Sequence, residues 1–191
     1  MQKVIKIKKK LLSNSFFKFW NYHFLLKSHN KKIKPYKIFR EILHVGDVVF
    51  ALCFNPEEKK FYLIKQFRPF YFVRNKTLKY EIVGGLVDKN ESLVNALKRE
   101  IKEEIGVKTI KIVKLTTYCP TPGYSDEIVH VFYAEVEKIK SNSFFNKNEN
   151  EEIKIFKLNL AELKKINESK SLQNVLTKIA IHEYLKKFKK S

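Results

Sequence analysis

The chain has 191 residues, 44% of them apolar, and carries 39 Lys+Arg against 20 Asp+Glu, a formal charge of +19. That length suits one domain, or one domain with a small appendage, and the apolar fraction can fill a core, which argues against intrinsic disorder. Five glycines and five prolines exclude collagen-like or low-complexity architectures, and no stretch approaches the roughly 18 uninterrupted apolar residues of a membrane span, so the chain reads as soluble.

The N-terminus, MQKVIKIKKKLLSNSFF, is basic, but Lys18, Asn21 and His23 interrupt the apolar run behind it and no small-residue cleavage site follows, so no signal peptide is read. Residues 2–9 are strand-like, and 11–30, rich in Phe16, Phe17, Phe19, Trp20 and Phe24, are ambiguous. Strands are predicted at 37–43, 47–54 and 61–66, the last two joined by the turn Asn55-Pro56-Glu57-Glu58. Lys79–Val83 reads as a short strand that Gly84-Gly85 breaks, and 92–105 as a helix spaced by Leu93, Leu97 and Ile101. Strands at 110–118 and 127–137 flank a turn-rich loop, Cys119–Asp126. A polar loop at 141–150, a strand at 152–158 and an amphipathic helix at 171–188 through Leu172, Val175, Ile179, Ile181 and Leu185 complete the chain. Strands, one helix, more strands and then helices predict an α+β fold rather than regular βαβ alternation.

Cys53 and Cys119 are far apart, without CxxC or Cys/His spacing, so neither a disulfide framework nor a zinc site is expected and a reducing cytoplasm fits best. A charge of +19 attracts nucleic acid, anionic lipid or nucleotide-like substrates. The lysines, however, are scattered among acidic residues, with local runs only at Lys8–Lys10 and near Lys186–Lys190. A general Lys-rich surface is therefore preferred over a nucleic-acid face. His130 and His182 lie in apolar periodic segments and read as packed side chains, and nothing suggests a Ser/His/Asp triad.

The informative segment is GLVDKNESLVNALKREIKEEIGV, Gly85 to Val107. At about 100° per residue, Glu100 and Glu104 share a helix face one turn apart with Glu103 beside them. Such carboxylates repel unless cations sit among their oxygens, and hard divalent ions suit an all-carboxylate site; a solvated acidic face is the ordinary alternative. Gly84-Gly85 permits close backbone approach to cations or a phosphate, Gly106 suits a left-handed helix end, and Arg99 can hold a carboxylate such as Glu91. Three of the chain's five glycines fall here.

Gly85, five residues, Glu91, seven residues, Arg99-Glu100, apolar Ile101, one residue, Glu103-Glu104, one residue, Gly106 and apolar Val107 match the complete Nudix box. Seven fixed positions match by chance at a given site on the order of 10⁻⁸ times. The chain thus resembles the Nudix hydrolases. That resemblance implies the Nudix fold, a mixed β-sheet sandwiched between α-helices, here with an N-terminal antiparallel strand extension. It implies a site in which Glu100 and Glu104 are principal metal ligands, Glu103 a further ligand through water or a second metal, and the carbonyl of Gly84 or Gly85 a backbone ligand. Glu91, Arg99, Gly85 and Gly106 would be structural. The implied chemistry is water attack on a diphosphate that joins a nucleoside to another group, with Mg²⁺ or Mn²⁺ as cofactor.

Over residues 37–187 the resemblance extends to the ADP-ribose pyrophosphatase and nucleoside diphosphate-sugar branch. LIKQFRPFY and YEIVGGLVD look like its strand pair before the box, and Pro122, sixteen residues past Gly106, falls where that branch carries a characteristic proline. Arg68 would contact substrate phosphate and Glu81 lie near substrate, with a surface arginine and a lysine-paired glutamate as the alternatives. In the run Asn148-Glu149-Asn150-Glu151-Glu152-Ile153, Glu151 falls on the position of the branch's catalytic base in a mobile acidic loop. Glu152, Glu103 and a plain solvated loop stay open. Phe70 and Tyr71 suit base stacking or packing. Residues 1–45 would be a strand-rich extension and candidate homodimerisation element, and 46–191 the hydrolase domain. The expected activity is ADP-ribose to AMP and ribose 5-phosphate in the cytoplasm, with no membrane or nucleic-acid partner. UDP-glucose or GDP-mannose hydrolysis, and RNA-end pyrophosphohydrolysis, are the alternatives.

Overall fold

The computed structural model describes residues 2–74, 77–146, 150–170 and 173–188. In chain order the elements are β1 (Lys3–Asn14), β2 (Lys18–Lys27), β3 (Tyr36–His44), β4 (Asp47–Asn55), β5 (Lys60–Lys65), α1 (Pro69–Arg74), β6 (Val83–Leu86), α2 (Leu93–Ile105), β7 (Thr109–Tyr118), β8 (Ile128–Val136), β9 (Ser143–Asn146), β10 (Glu151–Leu158), α3 (Leu160–Glu168) and α4 (Val175–Phe188). They form two compact units, Met1–Asp47 with Cys119–Ile128, and Val48–Tyr118 with Val129–Ser191.

In the first unit β1, β2 and β3 make an antiparallel sheet. The ambiguous stretch 11–30 is the end of β1 and all of β2. Trp20, Tyr22, Phe24 and Leu26 alternate onto one face opposite Leu11, Lys9, Ile7 and Val4. Register shifts between Val4 and Lys6 and between Leu11 and Ser13 coincide with the doublets Val4-Ile5 and Leu11-Leu12, which blur the period of two in the sequence. The turn-rich loop is tied to the end of β3. Leu43 N–H donates to Tyr124 O at 2.8 Å, and Asp126 accepts from His44 Nδ1 and from the amides of Val45 (2.8 Å) and Gly46 (3.2 Å). Burial opposes ionisation of Asp126, but these donors hold its carboxyl below the usual range.

The second unit is a seven-stranded sheet in the order β7-β8-β4-β5-β10-β9, with β6 pairing β4. Strand alternation divides its side chains between two helical layers. Val49, Ala51, Cys53, Tyr62, Ile64, Phe132, Ala134, Val136, Ile153 and Ile155 pack with Ala96, Leu97, Ile101 and Ile105 of α2. From the opposite side, Phe61 and Tyr133 meet Tyr184 of α4 at ring distances of 5.1 and 5.3 Å. The fold is thus α+β, a mixed sheet between helices.

Several expectations are corrected. The strand expected at 79–83 is instead Val83–Leu86 and runs through both glycines, while Glu81 makes a single bridge to Ile64. The polar stretch 141–150 contains β9, and α1 and α3 were not anticipated. The start of α3 is nevertheless written in the sequence as Asn159 and Glu162, a reciprocal capping box. His130 is buried and lies 3.2 Å from Thr117 Oγ1, but His182 is exposed rather than packed. Tyr71 is buried and Phe70 exposed. Leu172, Asn148, Glu149, Lys189 and Lys190 lie outside the described residues. No described helix is long and apolar enough to cross a membrane.

Glu58, in the β4–β5 turn, accepts from Tyr62 Oη at 2.5 Å and from Lys157 Nζ of β10 at 2.8 Å. The Lys157 and Tyr62 hydrogen bonds hold its carboxyl below the ordinary range. A depressed folded-state pKa contributes stability above the unfolded value of about 4.3, and that contribution disappears as pH falls through the folded value. Glu58→Gln is therefore expected to lower the melting temperature at pH 7, with the gap to the parent closing below about pH 4. Thermal melts of both proteins across pH 3–7 check this.

Candidate active site

The helix α2 begins where Ser92 accepts from Asn95 N–H at 3.2 Å and ends where Gly106 adopts φ 71°. Burial of Ala96, Leu97, Ile101 and Ile105 fixes its rotation and turns Glu100 and Glu104 toward the β6 backbone. Gly84 N–H donates to Glu104 Oε2 at 2.9 Å. A Cβ built on Gly85 would lie 2.5 Å from Glu100 Oε1, and one on Gly84, at φ 153°, would lie 2.0 Å from the Val49 carbonyl oxygen. Only glycine lets strand and carboxylates come this close.

Arg99 braces this arrangement. Its Nε and Nη2 hold both Glu91 oxygens at 3.2 and 3.0 Å, and Nη2 also bonds Leu86 O at 2.9 Å. Its Nη1 reaches Glu100 Oε1 at 2.7 Å and Glu103 Oε2 at 3.1 Å. The Glu91 pairing, with Glu100 and Glu103, holds the Arg99 guanidinium charged well above its ordinary range, and the same pairing lowers the Glu91 carboxyl. Glu104 is the opposite case. Burial pushes its carboxyl well up and Glu100 adds to the push, while Gly84 N–H and Arg68 oppose it.

A second arm comes from neighbouring strands. With its amide oriented as its neighbours require, buried Gln66 donates to Glu151 Oε2 at 3.1 Å and accepts from Arg68 Nη2. Arg68 bonds Glu81 Oε2 through Nε and Nη2, both at 3.0 Å, and Glu81 is buried. Glu151 opens β10 opposite Asn146 of β9, so at this residue the expected mobile loop is a strand. Alternation places Glu151 on the face of Ile153 and Ile155, which pack with α2, and Glu152 on the other. The sequence reading passed over Gln66, whose signal is a polar residue two positions beyond Ile64 on this face.

The structure thus brings together Glu100 and Glu104 at Gly84-Gly85, Glu91 and Glu103 at Arg99, and Glu151, Arg68 and Glu81 through Gln66. Pro122 lies in an exposed turn of the first unit. Arg99 Nη1 holds Glu100 Oε1 and Glu103 Oε2 together, and among the described residues no three acidic, His or Cys side chains are grouped as a set of metal ligands. The donor chemistry fits a hard divalent cation, because Glu100 and Glu104 are oxygen donors against glycine backbone that no side chain covers, and the raised Glu104 carboxyl is a group that a cation would restore to its ionised form.

A family model described as NUDIX domain matches residues 44–176. The ADP-ribose pyrophosphatase of Bacillus subtilis (strain 168) is 33% identical over 147 residues, which cover 76% of this chain and 75% of that protein. The GDP-mannose pyrophosphatase of Salmonella typhimurium is 29% identical over 159 residues, 82% of each chain. A solved structure described as "Crystal structure of ADP compounds hydrolase" superposes with a TM-score of 0.70 at 16% identity, over 97% of this chain and 94% of that one.

The two glycines are expected to fail differently. In Gly84→Ala the new methyl meets backbone, so about 3 kcal/mol or more should be lost, on the order of 10 °C in melting temperature. In Gly85→Ala it meets the movable end of Glu100, so stability should stay within about 1 kcal/mol while the carboxylate is displaced. Calorimetry on both variants checks the contrast.

Proposed function

The chain belongs to the NUDIX family, and from that membership we propose that it hydrolyses the diphosphate linkage of a nucleoside diphosphate-sugar, ADP-ribose in the first place, to AMP and ribose 5-phosphate. The observation that carries the proposal is Glu151, held by Gln66 on the sheet face that packs against the helix bearing Glu100 and Glu104. The Bacillus relative supports ADP-ribose as the substrate. The Salmonella relatives favour GDP-mannose as the second reading.

Glu100 and Glu104, with Glu103 and the Gly84 backbone, would hold Mg²⁺ or Mn²⁺. A divalent cation there neutralises phosphate oxygens and acidifies water. Gln66 fixes the Glu151 carboxylate so that it orients the attacking water and accepts its proton, while the water oxygen bonds to phosphorus and the bridging P–O bond breaks. Arg68, anchored by Glu81 and Gln66, presents Nη1 to the substrate phosphate. Glu91 and Arg99 set the position of Glu100. The proposal includes a homodimer through the extension 1–45 beside a hydrolase domain 46–191, with Pro122 at the substrate loop. It also includes a cytoplasmic setting, which two free cysteines support. Light scattering should then give twice 22.7 kDa.

Glu104→Gln should cut kcat by about 100-fold or more and weaken Mg²⁺ binding in a folded protein. Glu151→Gln should lower kcat by about 10²–10⁴ with KM and Mg²⁺ affinity little changed, and Glu152→Gln should resemble the parent. Across ADP-ribose, GDP-mannose, UDP-glucose, diadenosine polyphosphates and 5′-triphosphate RNA, kcat/KM should be highest for ADP-ribose. A higher value for GDP-mannose selects the second reading.

A further inference from the structure

Folding sorts the lysines in a way that their spacing in the sequence conceals. Residues 1–40 contain eleven lysines and Arg40 and no Asp or Glu. In the β1-β2-β3 sheet, residues directly opposite one another share a face. The register pairs Lys3 with Lys27, Lys6 with Leu25 and Lys37, Lys8 with His23 and Phe39, and Lys10 with Asn21 and Glu41. One face therefore gathers Lys3, Lys6, Lys8, Lys10, Lys27 and Lys37, all exposed, against the single carboxylate of Glu41. The connection from β2 to β3 adds Lys31, Lys32 and Lys34 beside Lys27. Among these lysines stands Phe39, 54% exposed, with His23 edge-to-face at 4.6 Å.

We propose that this lysine face of the N-terminal sheet binds single-stranded nucleic acid, RNA or DNA, through backbone phosphates and stacking of a base on Phe39. A row of four lysines along β1, with Lys27 on β2 and Lys37 on β3, supplies the electrostatic track, and an exposed aromatic in their midst is the sequence-tolerant platform on which bases stack. A second copy of the chain cannot be laid on this face lysine against lysine without like-charge repulsion. A lipid surface is less well served, because Trp20, Tyr22, Phe24 and Leu26 belong to the opposite face by the same register and no strongly exposed apolar band accompanies Phe39 here. The sheet precedes the span 44–176 matched by the family model, and the proposal is independent of the hydrolase reading.

The test is fluorescence anisotropy of the full chain with a labelled 12-nucleotide oligouridylate, and with its deoxy counterpart, from 50 to 300 mM salt. With up to six phosphates neutralised, log K against log salt should have a slope near −4. Lys6→Glu/Lys8→Glu/Lys10→Glu should weaken binding by about 30-fold or more and flatten the slope. Phe39→Ala should weaken it about 5- to 100-fold with the slope unchanged. Lys164→Glu/Lys165→Glu/Lys170→Glu, which changes net charge equally at exposed positions of the second unit, should leave at least half of the affinity. Melting curves confirm that each variant is folded. The proposal is overturned if the control triple weakens binding as much as the sheet triple, if Phe39→Ala has no effect, or if no oligonucleotide binds at 100 mM salt. Sheet-lysine-dependent capture by phosphatidylserine vesicles without oligonucleotide binding would assign the face to membranes instead.

Discussion

The close approach of a strand backbone to the carboxylates of a helix is the constraint from which the second unit takes its form. Gly84 cannot accept a Cβ because of the Val49 carbonyl, and at Gly85 a Cβ would displace the Glu100 carboxylate. With those methyls absent, β6 still pairs with β4 while α2 settles on it, so that Glu104 accepts directly from Gly84 N–H. The apolar residues of α2 set its depth and rotation, and the glycines set how near its acidic side can come.

Bringing acidic groups together in a half-buried setting is unfavourable unless positive charge is supplied. Arg99 supplies it on one flank, binding Glu91 with both forks and reaching Glu100 and Glu103 with the remaining nitrogen. Arg68 supplies it on the other, tied to Glu81 and Gln66. Glu104 faces the Gly84 amide, and burial opposes its ionisation. A divalent cation is the chemical complement to that arrangement, and Glu100 and Glu104 are the residues that would hold it.

The box residues and their helix were legible because helix caps, glycine positions and carboxylate spacing are local signals. Ser92 and Gly106 bound α2 as the pattern from 92 to 105 implies. The strand through Gly84-Gly85 was misread because glycine ordinarily ends a strand, whereas here it is retained for a close approach by side chains distant in sequence. Of the N-terminal sheet, β1 and β3 were legible at 2–9 and 37–43, whereas the stretch 11–30 was ambiguous, with the Leu11-Leu12 doublet at a bulge. Gln66 and the distinction between Glu151 and Glu152 depend on which face of β5 and β10 carries α2, and that is set by tertiary packing.

The central claim is that the carboxylates gathered at Gly84-Gly85 serve metal-dependent cleavage of a nucleoside diphosphate-sugar. Phosphorus-31 NMR of ADP-ribose incubated with the protein, with Mg²⁺ and then with a chelator in excess, tests it most directly. With Mg²⁺, the two diphosphate resonances should give way to two monophosphate resonances, those of AMP and ribose 5-phosphate, and with chelator they should persist. Unchanged diphosphate signals in Mg²⁺ and Mn²⁺, for ADP-ribose and GDP-mannose alike, would contradict the account.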